Sequence, residues 1–144
     1  VKILFDTSVL VAAVVESHPA HDNAAAALRR VQQRQYSGWI AMHSIAELYS
    51  VLTRLPLQPR ITPANAWRVI QRDVLELLNI AALSADDYQR VVQQLAERNL
   101  SGGIVYDALL LQSAKNADVQ HILTLNKKDF LRIAPDWADR LIEP

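Results

Sequence analysis

Short apolar runs separated by helical stretches recur along this chain of 144 residues, and that alternation constrains the fold more than any other feature. Strands joined through a helix lie parallel, because the crossover returns the chain to the edge where it started. Residues 1–5 (VKILF) suit a buried strand, stopped by Asp6-Thr7-Ser8. Further strands are expected at 39–41, 80–83 and 121–125, with a last short one at 141–142. Residues 9–15 are apolar enough for a buried helix capped by one of the three polar residues before it. Residues 19–35 read as an alanine-rich helix with one wet face, broken by Gly38. Over 43–54, Ile45, Leu48, Tyr49 and Leu52 fall at i, i+3, i+4 and i+7 of a helix. Thr62-Pro63 pairs a cap with proline at the first helical position and opens a helix to about residue 78. Ser84-Ala85-Asp86-Asp87 has the layout of a capping box and starts a helix to about residue 98. Another helix runs from near Gly103 to about residue 116, and 126–129 reads as a turn. The expected class is α/β: a three-layer α/β/α sandwich with a short, mainly parallel sheet, in one domain spanning 1–144.

Composition narrows the functions open to such a domain. Hydrophobic residues make up 51% of the chain, enough for one real core, which excludes a disordered polypeptide. Lys plus Arg and Asp plus Glu number 15 each, so any basic groove for a nucleic acid has to be local. The absence of cysteine removes disulfides, thiolate zinc sites and cysteine nucleophiles. No apolar run approaches the roughly 20 residues of a membrane span. No charged segment followed by an apolar one opens the chain, and a cytoplasmic protein is expected.

Several acids stand where solubility would not put them. Asp6 directly follows the first strand, at the carboxyl edge where open α/β sheets gather ligands; it is equally placed to cap the next helix. Glu47 flanks the apolar stripe of the 43–54 helix and has no Lys or Arg at helical pairing distance. Asp107 lies in IVYDALLL (104–111), apolar on every face and therefore expected to be buried, where a carboxylate needs a partner, a proton or a metal. Its nearness to the helix start offers a second reading, an anion on the helix dipole. Thr124 ends a strand, Asn126 is a turn residue or a ligand, and Asp129 a ligand or a helix cap. With parallel neighbouring strands, Asp6, Glu47, Asp107 and Thr124 converge at one sheet edge. Clustered carboxylates raise each other's pKa unless a cation joins them, and oxygen ligands suit Mg2+ or Mn2+. Such a site activates water and stabilises charge developing on a phosphodiester.

The ordered set resembles a known family. The strand ending in Asp6-Thr7-Ser8, then Ala46-Glu47-Leu48-Tyr49, Tyr106-Asp107-Ala108-Leu109, Thr124-x-Asn126 and Asp129-Phe130 looks like the PIN domain, most of all VapC-type toxins of toxin–antitoxin pairs. The resemblance spans nearly the whole chain. It implies a metal-dependent endoribonuclease, active as a homodimer and silenced by a VapB-type antitoxin whose tail reaches the acidic pocket. Carried over by position, Asp6, Glu47 and Asp107 match the catalytic, metal-binding acids, and Thr7 or Ser8 the small hydroxyl residue beside the first. Where the family often has a fourth acid, two residues past the threonine, this chain has Asn126; Asp129 is the alternative. The implied reaction is in-line attack of metal-activated water on an RNA phosphate, leaving 3′-hydroxyl and 5′-phosphate ends.

Other residues carry paired readings. Arg54 and Arg60 are candidates for a phosphate clamp or an antitoxin contact, and Arg29, Arg30 and Arg34 for a basic wall or a solvated helix face. Trp39 and Trp67 are candidates for base stacking or for core and interface packing. His43 touches substrate or is a polar residue at a helix start. Among rival functions, a haloacid-dehalogenase-like phosphatase calls for a second Asp where Ser8 stands. A non-catalytic PIN-like binding module and a PIN nuclease outside a toxin pair complete the alternatives.

Overall fold

The computed structural model describes residues 1–144. Its frame is one sheet of five strands: β1 Lys2–Phe5, β2 Ser37–Ala41, β3 Asn79–Ala81, β4 His121–Leu123 and β5 Leu141–Ile142. The order is β3-β2-β1-β4-β5 and every neighbouring pair is parallel. Seven α-helices join them: α1 Thr7–Val14, α2 His21–Gln32, α3 Met42–Arg54, α4 Pro63–Val69, α5 Ala85–Glu97, α6 Ile104–Asn116 and α7 Lys127–Ile133. Alternation along β1 sets the layers. Ile3 and Phe5 enter a core shared with α1 to α4, whereas Leu4 enters a second core with α5, α6 and α7. The chain therefore leaves β1 toward β2 over one face and reaches β4, on the other side of β1, over the opposite face. That reversal opens a crevice beyond the carboxyl ends of β1 and β4, the usual ligand position in such sheets.

Local chemistry explains the element ends. Ser84 accepts the Asp87 amide at 3.0 Å while the Asp87 carboxylate accepts the Ser84 amide at 3.0 Å, completing the capping box. Thr62 Oγ1 caps α4 by accepting the Asn65 amide. No helix is long and apolar enough to cross a membrane.

Several expectations need correction. Gly38 does not break a helix: α2 ends at Gln32, Arg34 takes the left-handed turn (φ 61°), and Gly38 lies inside β2. A Cβ there would collide with Leu78 Cδ2 and lie 2.9 Å from Val31 Cγ2, so the glycine serves close approach. The helix from Pro63 widens into a π-helical turn over Ile70–Leu75 instead of running on to 78. The third strand covers Asn79–Ala81, not 80–83, because its partner β2 ends opposite Ala81. The fourth stops at Leu123, not 125, because side-chain hydroxyls take the Leu125 and Asn126 amides. Residues 126–129 are not a free turn. Asn126 precedes α7 and Asp129 sits in its first turn, the helix being held by burial of Phe130 and Ile133. Tyr49 is 41% exposed, outside the buried stripe of Leu48 and Leu52.

Candidate active site

The crevice holds a cleft of about 410 Å³, lined by Asp6, Thr7, Ser8 and Val11, by Glu47 and Val51 of α3, by Asp107 of α6, by Leu125 and Asn126, and by His18. Its floor is Asp6, where β1 gives way to α1. Asp6 holds the cap position of α1, but its side chain makes no cap bond. Instead Oδ2 accepts the Ser8 and Thr124 hydroxyls, each at 2.8 Å. Both hydroxyls also accept backbone amides of the β4–α7 segment, Leu125 N–H to Ser8 Oγ at 3.1 Å and Asn126 N–H to Thr124 Oγ1 at 2.9 Å. Thr124 is wholly buried. Two hydroxyls thus tie the ends of β1 and β4 together through one carboxylate, and Ser8 fills the place where a haloacid-dehalogenase-like phosphatase needs its second acid.

Glu47 reaches the cleft from the middle of α3 and Asp107 from the first turn of α6. Asp107 is half-buried, not buried as its apolar segment suggested: the first turn of α6 emerges at the sheet edge, and Tyr106 beside it is 55% exposed. None of the three acids has an ion-pair partner, since the single salt bridge joins Arg90 to Asp87. Burial pushes the Asp6 carboxyl up, against the hydrogen bonds from Thr124, Ser8 and the Thr7 amide. Glu47 is raised by burial and then by the Asp6 charge, with the neighbouring Thr7 hydroxyl pulling the other way, and Thr7 Oγ1 is buried with no hydrogen-bond partner. Asp107 is pushed up to about 7 by burial and by the charges of Asp6, Asp129 and Glu47.

These groups are oxygen donors in mutual repulsion with no resident cation among the side chains, which is the chemistry a hard divalent ion relieves. No three of them stand close enough to hold one bare ion directly. An ion of the magnesium class fits such a spaced set because it keeps several waters and takes few carboxylates.

Other candidates sort by position. Asn126 lines the cleft; Asp129, exposed, stands outside the lining while its charge is felt by Asp6 and Asp107. Arg54 is exposed at the end of α3, its Nε donating to the Ser50 carbonyl at 3.2 Å, and does not line the cleft. Arg60 lies in a separate groove with Arg68, and Arg29 in another with Arg72. Arg30 stacks on Tyr36 and Arg34 occupies the turn after α2. Trp39 is half-buried against the second core beneath Lys2, and Trp67 is 51% exposed on α4, outside the core. His43 stacks on Tyr106, ring centroids 6.3 Å apart, and burial lowers its pKa. His18 is the one polar residue of the cleft lining that pattern reading missed. It lies in the loop between α1 and α2, where no periodicity marks it; the only signal was an imidazole beside Pro19 just before a helix start.

A parallel α/β sandwich with three unpaired acids at its switch point defines a class, and the sequence agrees: the PIN domain matches residues 3–135, and this chain belongs to that family. It is 40% identical over 112 residues, 78% of each chain, to Ribonuclease VapC40 of Mycobacterium tuberculosis. It is 36% identical over 109 residues to Ribonuclease VapC27 of the same organism, covering 76% of this chain and 74% of the relative. Solved structures agree on the fold. VapBC2 from Rickettsia felis, bound to a DNA fragment from its promoter, matches with a TM-score of 0.62 at 19% identity, over 100% of this chain and 98% of that one. FitAcB from Neisseria gonorrhoeae gives 0.65 at 15% identity, over 99% and 96%.

Proposed function

We propose that this protein is an endoribonuclease, the toxin of a VapC-type toxin–antitoxin pair, working with Mg2+ or Mn2+ as a cytoplasmic homodimer that a VapB-type antitoxin silences. The observation that carries the reading is the arrival of Asp6, Glu47 and Asp107 from three separate elements in one cleft, with no Lys or Arg in its lining to neutralise them. The relatives named ribonucleases support RNA as substrate, and their VapC kinship supports the antitoxin.

The residues divide the work. Asp6, clamped by Ser8 and Thr124, supplies a fixed carboxylate; Glu47 and Asp107 face it from α3 and α6, and the Asn126 amide oxygen adds a neutral donor. A divalent ion bound there supplies the charge that acidifies water and offsets charge building on the phosphate. Water attacks phosphorus in line and the bond to the 3′-oxygen breaks, giving 3′-hydroxyl and 5′-phosphate ends. The carboxylates must be ionised to serve, so a cation binding near neutral pH displaces a proton from Asp107, raised to about 7 in the metal-free protein.

The test is Mg2+ and Mn2+ calorimetry on wild type and Asp107→Asn, with RNA cleavage assayed on the same samples. Binding and cleavage that both collapse in the variant support the reading. Unchanged affinity, or a wild type that binds metal and cuts no RNA, overturns it.

A further inference from the structure

We propose that His18 is a substrate-contacting residue of this cleft, donating a hydrogen bond from Nε2 to a phosphate oxygen of the bound RNA. The inference rests on the ribonuclease reading and adds a residue to it. A phosphodiester entering the cleft meets Asp6, Glu47 and Asp107, all of which repel it. Among the lining side chains, His18 is the only one of a basic type, and it shares nitrogen donors only with the Asn126 amide.

The ring is held in place. His18 N–H donates to the Val15 carbonyl at 3.0 Å, its carbonyl accepts the His21 amide at 3.0 Å, and its Nδ1 accepts the Ala20 amide at 3.0 Å. A backbone amide can only donate, so Nδ1 is the acceptor nitrogen and the ring proton is assigned to Nε2. This assignment separates two roles. A histidine that ligates metal presents a lone pair to the ion and donates from its other nitrogen to a carboxylate, carbonyl or water. Here the second nitrogen accepts instead, which leaves Nε2 as a free donor for an anion in the cleft. Three local bonds also fix the loop before α2, so the imidazole is positioned before substrate arrives.

The test compares wild type, His18→Asn and His18→Gln. Asparagine keeps an acceptor near the Nδ1 position for the Ala20 amide and removes the Nε2 donor; glutamine reaches further and restores one. The probe is total bacterial RNA with Mn2+, cut under single turnover, with rate followed against enzyme concentration. Half-saturation and limiting rate then separate, and melting and Mn2+ calorimetry accompany them. His18→Asn is expected to lower the second-order cleavage rate about 10- to 100-fold, the range for an unmade hydrogen bond to a charged group. Mn2+ affinity and the melting midpoint stay unchanged, and His18→Gln recovers much of the loss. Cleavage by His18→Asn at the wild-type rate, loss of Mn2+ affinity, or a glutamine variant no better than asparagine overturns the proposal. A wild type that binds Mn2+ and cuts no RNA instead overturns the ribonuclease reading beneath it.

Discussion

Asp6 and Asp107 have unlike surroundings, and the difference decides how the cleft titrates. Asp6 accepts two hydroxyls on one oxygen, which favours its charged form against burial, whereas Asp107 is raised to about 7 with no hydrogen bond to oppose the push. Asp107 is therefore the acid that must lose a proton when a cation binds near neutral pH. Mn2+ affinity is expected to rise about tenfold per pH unit below 7 and to level off above it. Calorimetry at pH 6, 7 and 8 in buffers of different ionisation enthalpy reads both the slope and the released proton; a flat profile rules out Asp107 as the titrating ligand. Thr124 makes a second residue-scale case. Thr124→Val removes a buried donor from Asp6 and the acceptor of the half-buried Asn126 amide, for a cost of about 1–3 kcal/mol. Chemical denaturation should show that loss together with weaker Mn2+ binding, because Asp6 then rises further.

At the scale of elements, β2 works only because its second residue has no side chain. Gly38→Ala puts a methyl into Leu78 and Val31, both buried, at the seam of β2, α2 and the segment before β3. The expected cost is about 1–3 kcal/mol of overpacking, read as a melting midpoint several degrees lower, with Mn2+ affinity per folded molecule unchanged. Periodicity could not announce this, since a glycine between a helix and a strand reads first as punctuation. What could be read were features written in consecutive residues: the VKILF run of β1, the capping box at Ser84, the Thr62-Pro63 start and the acids with no local partner. What could not be read depends on neighbours distant in sequence. The widened turn at Ile70–Leu75 follows no breaker, α7 forms because Phe130 and Ile133 find the second core, and His18 reaches the cleft only through the fold. The exposure of Asp107 belongs here too: an apolar segment shows that a helix is buried but not which turn of it emerges at a sheet edge.

For the whole molecule, a balanced charge of zero hides a local imbalance: three acids gather at the switch point in a cleft lined by no Lys or Arg. Each of Asp6, Glu47 and Asp107 is raised on folding, so the native state holds protons that the unfolded chain releases. The sign follows from proton counting. Stability from such groups is present below their unfolded values and lost as pH rises through the folded ones, for Asp107 from 3.8 through about 7. Metal-free protein should therefore melt lower at pH 8 than at pH 5 on account of this cleft. A cation that binds only the folded chain reverses the trend, adding about 2.7 kcal/mol at a hundredfold excess over its Kd, or on the order of 5–10 °C for a chain of this size. Asp107→Asn separates repulsion from ligation. The amide removes a charge that its neighbours oppose, so the metal-free variant is expected to melt above wild type at pH 8, while added Mn2+ moves it little. A variant less stable than wild type without metal, yet still stabilised by Mn2+, would mean that Asp107 is held by ordinary packing and that the cation sits elsewhere.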